Sequence, residues 1–189
     1  MNHVGTKELK TERLILRPFT VADAEAMYCT WASDPDVTNF LTWPTHSDVT
    51  ISRMVLESWE KEYRNPDYYQ WAIVFEGKPI GSIAAVSISD LEDKVEVGYC
   101  IGKAWWHKGI VSEALAALIS FFFETVGTNR IEAKHDANNP HSGGVMRKCG
   151  MTYEGTLRQA NRNNRGICDS CVYAILRSEY FGKGTEMGS

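Results

Sequence analysis

The chain has 189 residues, of which 43% are hydrophobic and 23% are charged, as in an ordinary single globular domain. Its formal net charge of −4 argues against nucleic acid as the main partner, because phosphate binding favours a basic surface. The first residues contain no basic stretch followed by an apolar segment, and no apolar run approaches the roughly 20 residues that span a bilayer. We therefore expect a cytoplasmic protein without a membrane partner.

The hydrophobic periodicity predicts strands and helices along the whole chain. The first strand covers 14–18, and a helix then opens at Thr20, with Asp23 three residues on, and ends near residue 31. There follow a helix from Ser47 or Asp48 to about residue 64, a hairpin of strands over 69–75 and 80–87, a strand over 95–101, a helix over 109–125, a strand over 130–135, a helix over 142–149 and strands over 151–154 and 168–176.

This order predicts an α/β fold of the α+β kind, in which one mixed sheet carries helices on both faces. A hairpin run comes first, and the later strands alternate with helices. We predict a single domain over residues 11–181, a flexible N-terminus over 1–10 and a disordered tail over 182–189.

Five cysteines, an odd number, favour reduced thiols in a cytoplasmic protein. Cys168 and Cys171 are spaced like a metal-binding or redox pair, but they lie in a strand pattern, where residues three apart point to opposite faces. No second pair of Cys or His residues stands at zinc spacing, so we expect no metal.

The segment 98–114 predicts a strand, a loop that contains Gly102 and Gly109, and then a helix. Free backbone N–H groups at a helix N-terminus attract anions, and Lys103, His107 and Lys108 add positive charge nearby. The spacing fits neither a nucleotide P-loop nor the dinucleotide fingerprint. The loop is either a diphosphate site or a plain connection between a strand and a helix.

Two stretches carry a resemblance to a known family. Residues 105–114 read WWHKGIVSEA and resemble the coenzyme A pyrophosphate loop of the GNAT superfamily, in its RimJ/RimL-like branch, with His107 in place of that loop's first glycine. Residues 139–155 read NPHSGGVMRKCGMTYEG and resemble the branch's Asn-x-x-Ser-x-x-Val-Met-x-Lys-x-Gly segment. With similar stretches at 11–19 and 156–179, the resemblance covers about 11–180 and implies the GNAT acyl-CoA N-acyltransferase fold, with a twisted, mostly antiparallel sheet.

The resemblance implies that acetyl-CoA is the cosubstrate and that the loop and the Asn139 segment hold it. Asn139 would hold the pantetheine arm or, alternatively, would only initiate a helix. Backbone N–H groups of Cys100 and Ile101 would stabilise the developing oxyanion. The implied cofactor-binding residues are Cys100, Ile101, Trp106, His107, Lys108, Gly109, Ile110, Val111, Ser112, Asn139 and Arg147.

Transfer of an acetyl group from a thioester to an amine needs a base, oxyanion donors and a proton for the thiolate. Glu96 is the candidate base, because it lies on a central strand where desolvation raises the pKa of a carboxyl group; the alternative is a solvated or arginine-paired glutamate. In much of the superfamily a tyrosine side chain protonates the thiolate, and Met146 occupies the position of that tyrosine here. Ser142 is then the candidate proton donor or, alternatively, only the N-cap of a helix. An acyl-enzyme on Cys100 is disfavoured, because direct transfer needs no intermediate.

The implied function is an N-acetyltransferase that acts on a primary amine by direct transfer in a ternary complex. The branch suggests a protein N-terminal α-amine of the ribosomal-protein type; the alternatives are a small-molecule amine such as a polyamine, antibiotic or amino acid, and a non-catalytic acetyl-CoA-binding regulator. The expected partners are acetyl-CoA and the amine acceptor, with the chain as a monomer or a homodimer.

Overall fold

The computed structural model describes residues 1–182, which build one eight-stranded sheet with helices on both faces. The strands are β1 (Leu9–Lys10), β2 (Leu14–Arg17), β3 (Gln70–Phe75), β4 (Lys78–Ser89), β5 (Lys94–Ile101), β6 (Arg130–Asp136), β7 (Thr152–Asn163) and β8 (Gly166–Leu176). Their order is β1-β2-β3-β4-β5-β6-β8-β7, and every neighbouring pair is antiparallel except β5 and β6. The predicted fold class is confirmed.

The helices cover both faces of the sheet. They are α1 (Ala24–Met27), α2 (Pro35–Thr38), α3 (Val49–Glu62), α4 (Ile110–Phe121), α5 (Pro140–Lys148) and α6 (Arg177–Gly182). The predicted first helix is a composite, since a 3-10 turn precedes α1 and a π-helical turn over Tyr28–Ala32 extends it. The start of α3 is as predicted, because the Asp48 side chain accepts a hydrogen bond from the Thr50 amide at 2.7 Å.

Alternating side chains of the central strands pack into two separate hydrophobic cores. On β3, Trp71 and Ile73 belong to the core under α4 and α5, while Ala72 and Val74 belong to the core under α1 and α3. A strand buried on both faces reads as a continuous apolar run, which is what β3 shows. The same alternation on β5 places Cys100 in the core under α1 and α3.

β5 and β6 diverge at their C-terminal ends, and this divergence creates the site described below. Their parallel pairing runs from Lys94 opposite Arg130 to Val97 opposite Ala133 and then ends. The strands continue to Ile101 and Asp136 respectively, so several residues on each side face a gap in the middle of the sheet.

The N-terminal segment differs from its prediction of flexibility. The Trp71 indole Nε1 donates to the Lys7 carbonyl at 2.6 Å, the Val4 amide donates to the Tyr69 hydroxyl at 3.2 Å, and β1 pairs with β2. These contacts attach residues 1–10 to the domain. At the other end, Gly182 closes α6, and the rest of the predicted tail, 183–189, lies outside the described residues. None of the helices within residues 1–182 has the length and apolar character needed to cross a bilayer.

Candidate active site

A cavity of about 630 Å³ lies between the diverging ends of β5 and β6, and the starts of α4 and α5 close it. It contains the predicted site residues Cys100, Ile101, Trp106, His107, Gly109, Ile110, Val111, Ser112, Asn139, Ser142 and Arg147. Glu96 and Lys108 were predicted for the same site, but they do not line the cavity. The structure therefore brings together segments that are some 40 residues apart in the sequence.

The loop that enters α4 has the geometry of an anion site. Gly109 occupies the N-cap position with φ of +73°, a left-handed conformation that suits glycine, and the first-turn amides of α4 follow it. The Trp106 indole Nε1 donates to the Ile101 carbonyl at 3.0 Å and ties the loop to the end of β5. His107 also has a positive φ, +60°, at the position where the branch favours glycine. Lys108, which was predicted to bind the cofactor, is exposed beside this loop and does not line the cavity.

Residues from the start of the chain hold this loop in place. Glu113 in the first turn of α4 accepts hydrogen bonds from the Thr11 hydroxyl at 2.5 Å and from Arg13 Nε at 2.7 Å. Arg13 Nη1 also donates to the Lys108 carbonyl at 3.2 Å. Burial raises the pKa of the Glu113 carboxyl, but these hydrogen bonds outweigh it and hold that pKa below its ordinary value. Thr11 and Arg13 thus hold the loop that enters α4 against the start of the chain.

The backbone of β5 offers the gap an amide from Ile101 and not from Cys100. The Gly102 amide donates to the Ile80 carbonyl at 2.9 Å, so these two residues form a hydrogen-bonded pair of the β4–β5 ladder. Hydrogen-bonded pairs alternate with non-hydrogen-bonded pairs along an antiparallel ladder, so Ser82 and Cys100 form the next hydrogen-bonded pair. The Cys100 N–H therefore points at β4, and its prediction as an oxyanion donor is wrong. The Ile101 N–H faces the gap.

The Cys100 thiol is a poor nucleophile in this position. It is buried, and its Sγ lies 3.4 Å from the Ser82 hydroxyl. Burial raises the pKa of the thiol, which disfavours the reactive thiolate. Cys100 is therefore an unfavourable position for a covalent acyl-enzyme.

Ser142 lies inside α5, where it hydrogen-bonds with a tyrosine of β5. The N-cap position belongs to Asn139, which corrects the prediction that Ser142 caps the helix. The Tyr99 hydroxyl donates to the Ser142 carbonyl at 3.0 Å, and the two hydroxyl oxygens are also 3.0 Å apart. Burial raises the pKa of the Tyr99 phenol, which keeps it protonated at neutral pH. Tyr99 was not predicted as a site residue, although its alternation with Glu96 placed it on the opposite face of β5.

Close packing of α5 on the sheet explains one of two glycines that depart from the branch pattern. A Cβ atom on Gly143 would lie 2.6 Å from His135 Nε2 and 3.2 Å from the Tyr173 hydroxyl. A Cβ on Gly144 would meet only Arg147 Nη2, at 4.0 Å, and nothing in the structure explains that glycine. Met146 is 1% exposed in the core, so no proton donor replaces the family's tyrosine at that position.

Glu96 is ion-paired with a cavity residue. Lys134 Nζ donates to Glu96 Oε2 at 2.6 Å, and Lys134 lines the cavity while Glu96 does not. The sequence suggested either a solvated or an arginine-paired Glu96, and its partner in the structure is a lysine from the neighbouring strand. The Glu96 side chain is 22% exposed. Lys134 was not predicted, because the pairing depends on the register of β5 and β6.

Asp136 is an acidic residue that lines the cavity and was not predicted from the sequence. It ends β6 and is 6% exposed. Its Oδ1 accepts from the Asn138 amide at 2.8 Å and from Asn138 Nδ2 at 3.0 Å, and its Oδ2 accepts from Asn163 Nδ2 at 2.7 Å. Asn163 lies at the end of β7, so the β7–β8 hairpin contacts Asp136 through this residue.

The two closely spaced cysteines have separate surroundings. Cys168 Sγ lies 3.5 Å from Asn163 Nδ2, whereas Cys171 Sγ lies 3.2 Å from the Thr156 hydroxyl. Within residues 1–182, no group of three or more His, Cys, Asp or Glu side chains has an arrangement that could hold a metal ion.

Comparison with known proteins agrees with the motifs in the sequence. Residues 13–152 match the acetyltransferase (GNAT) domain. The uncharacterized N-acetyltransferase p20 of Bacillus licheniformis is 30% identical over 92% of this chain and 98% of its own length. The ribosomal-protein-serine acetyltransferase of Escherichia coli K12 is 32% identical over 58% of this chain and 62% of its own length.

The fold also resembles that of a solved acetyltransferase. RimL, the ribosomal L7/L12 α-N-protein acetyltransferase in complex with coenzyme A, superposes with a TM-score of 0.82 at 19% identity, over 92% of this chain and 99% of its own. Since the family model covers most of the chain and p20 matches nearly all of it, the protein belongs to the GNAT family of acetyltransferases, enzymes that use acetyl-CoA.

Proposed function

We propose that the protein transfers an acetyl group from acetyl-CoA to a protein N-terminal α-amine, by direct transfer in a ternary complex. The observation that carries the proposal is the gap between β5 and β6, where one cavity extends from the loop that enters α4 to Asp36 and Val37 of α2. A thioester can enter such a gap from one side and an amine from the other. The likeness to the E. coli ribosomal-protein-serine acetyltransferase favours a protein N-terminus as acceptor.

The first-turn amides of α4 would bind the diphosphate of the cosubstrate. Ile110, Val111 and Ser112 supply those amides, and all three line the cavity. Arg147 also lines the cavity and supplies positive charge, while its Nη1 donates to the Tyr173 hydroxyl at 2.7 Å. Asn139, the N-cap residue of α5, lines the same cavity and would hydrogen-bond the pantetheine arm.

A residue can then be assigned as the oxyanion donor, the general acid and the general base. The Ile101 N–H stabilises the oxyanion that forms when the amine nitrogen attacks the thioester carbon. As the C–S bond breaks, the Ser142 hydroxyl gives its proton to the departing sulfur and regains a proton from water, while Tyr99 holds that hydroxyl in position. Glu96 accepts the amine proton through a water molecule on the cavity side of Lys134, whose ammonium stabilises the carboxylate beforehand.

A thiol-release assay tests the function. The purified protein is mixed with acetyl-CoA and a panel of peptides that begin with Ser, Ala or Met, together with polyamines, aminoglycosides and free amino acids. We expect free thiol with peptides, and mass spectrometry should place the added acetyl group on the α-amine. Turnover confined to small amines would replace the acceptor class, and cofactor binding without thiol release above background would indicate a regulatory module.

A further inference from the structure

Asp136 is a buried carboxylate without a cation beside it. Its hydrogen-bond donors are neutral: amide groups of Asn138 and Asn163, and the Cys168 thiol. Across residues 1–182, no Lys, Arg or His lies within ion-pair distance of it. A buried charge normally has a partner of opposite charge, so this one calls for an explanation.

The strand register places Asp136 beside the point of transfer. Val97 and Ala133 are the last paired residues of β5 and β6, and three further residues on each strand lead to Cys100 and Asp136. These two residues therefore stand opposite each other across the gap, next to the Ile101 amide. Asp136 lines the same cavity.

The alternation of side chains places Asp136 on the face away from the phosphate loop. Its neighbour His135 faces α5, where it lies against Gly143. Tyr99 also faces α5, through its contact with Ser142. Asp136 and Cys100 consequently face the other side of the sheet, towards α1 and α2, which is where an acceptor would enter.

The charges of the cavity divide in the same way. The phosphate side is lined by His107, Arg147 and Lys148, which suits the anionic cosubstrate. On the acceptor side, the carboxylate of Asp36 is exposed and paired with Lys103. The Lys134 ammonium on that side is taken by Glu96, as described above, and Asp136 keeps an uncompensated negative charge.

We propose that Asp136 binds the ammonium group of the incoming acceptor and selects for amines that arrive with a positive charge. This inference rests on the proposed function and names the residue that recognises its acceptor. Asn138 and Asn163 would hold the carboxylate in place and keep it ionised. Burial raises the pKa of Asp136, but the hydrogen bonds from these two residues outweigh it, so the carboxyl keeps its charge at neutral pH.

The test replaces the charge and keeps the shape, with Asp136→Asn. For a Ser-initiated peptide we expect KM to rise about tenfold to hundredfold, the effect of losing a charged hydrogen bond, while kcat changes by less than about threefold. Hydroxylamine, a neutral nucleophile near pH 7.5, should be acetylated with unchanged kcat/KM. The Kd for acetyl-CoA, measured by calorimetry, should also stay the same.

The matched control is Asp169→Asn, which removes the charge of another carboxylate of the β7–β8 hairpin, one that accepts from the Gln159 amide and does not line the cavity. We expect its peptide KM to stay within about threefold of the wild-type value. An equal loss in both variants would mean that the hairpin, and not the charge of Asp136, determines peptide binding and would overturn the proposal. An equal loss of peptide and hydroxylamine turnover in Asp136→Asn would overturn it too.

A binding measurement separates this inference from the proposed function. Calorimetry of the peptide into CoA-loaded protein needs no turnover, and it should show weaker binding to Asp136→Asn for the free amine but not for the N-acetylated peptide. If the wild type acetylates only small amines, the same comparison is made with n-butylamine. Equal affinity of wild type and variant for the cationic acceptor refutes the role of Asp136, whatever the acceptor class is.

Discussion

The hydroxyl oxygens of Ser142 on α5 and Tyr99 on β5 lie 3.0 Å apart across the cavity, and the Tyr99 hydroxyl also hydrogen-bonds the Ser142 carbonyl. Two elements from distant parts of the chain thus fix the position of one serine hydroxyl. Because a tyrosine with a raised pKa stays protonated at neutral pH, the pair can keep a proton ready for the departing thiolate.

Removal of either hydroxyl should slow the chemical step. We expect Ser142→Ala to lower kcat about 100-fold, as for the loss of a general acid, and Tyr99→Phe to lower it about tenfold. The double variant should be no slower than Ser142→Ala, since residues that act as a unit are not additive. Steady-state kinetics measure kcat, and calorimetry should show an unchanged Kd for acetyl-CoA. Additive losses would mean that Tyr99 does not act through Ser142.

Glu96→Gln should reduce turnover while cofactor affinity stays the same. We expect a loss of about 100-fold in kcat, because amide nitrogen and oxygen cannot accept the amine proton. Lys134→Met is the matched control: it removes the partner cation and keeps the carboxylate, so most of the turnover should survive. If the Gln variant matches the wild type between about pH 6 and 9, Glu96 has no part in the mechanism.

Arg13→Ala should weaken acetyl-CoA binding from outside the cavity. Arg13 contacts Glu113 and the Lys108 carbonyl, so its loss should loosen the loop that presents the α4 amides. We expect Kd to rise about tenfold, comparable to the loss of one charged hydrogen bond. Arg53→Ala, at an exposed position on α3, is the control and should not change Kd. An equal Kd in both variants would contradict a positioning role for Arg13.

The pair of Arg17 and Asp23 should make stability depend on acidic pH. Arg17 donates to both Asp23 oxygens at 2.8 Å, and Asp23 also accepts from the Thr20 amide at 2.9 Å. Burial raises the pKa of Asp23, but these bonds outweigh it and hold the pKa below its ordinary value.

A depressed pKa stabilises the folded state above the unfolded-state value of about 3.9 and stops doing so as pH falls through the lower folded value. Asp23→Asn should therefore cost about 2 kcal/mol at pH 7 and much less near pH 2. Urea unfolding at both pH values measures the difference. A cost that stays constant with pH would rule out the ion pair as its source.

The two adjacent glycines of α5 should respond in opposite directions to alanine. Gly143→Ala would push a methyl group against His135 and Tyr173, and overpacking of this kind costs about 1–3 kcal/mol. Gly144→Ala has space around it and should stabilise the helix by about 0.5–1 kcal/mol. Thermal unfolding compares them. Equal shifts in Tm would show that α5 does not pack as closely as described.

The fold and much of the site could be predicted from the sequence because local patterns carry them. The apolar run of β3, the cap at Asp48 and the segment around Gly109 each depend on neighbouring residues. The Asn139 segment was likewise predicted to lead into a helix, although that helix begins at Pro140 and not at residue 142.

What escaped prediction depends on contacts between distant strands. Whether the Cys100 or the Ile101 amide faces the gap follows from the ladder that β5 forms with β4, and periodicity alone does not reveal it. The partnership of Glu96 with Lys134 requires the parallel register of β5 and β6. In the sequence Asp136 has the pattern of an ordinary turn residue, and it is buried only because the β7–β8 hairpin packs against it.

The separation of β5 and β6 leaves the sheet incomplete at its centre. In a continuous sheet the Ile101 N–H would hydrogen-bond to a neighbouring strand. A ligand that runs along the gap and carries amide groups can take the place of that strand. Occupancy of the gap and resistance to unfolding are then linked: a ligand at a hundred times its Kd adds about 2.7 kcal/mol to the folded state. The protein should unfold at a higher temperature when its cosubstrate is abundant, and the melting temperature can report the fraction of molecules with ligand bound in the gap.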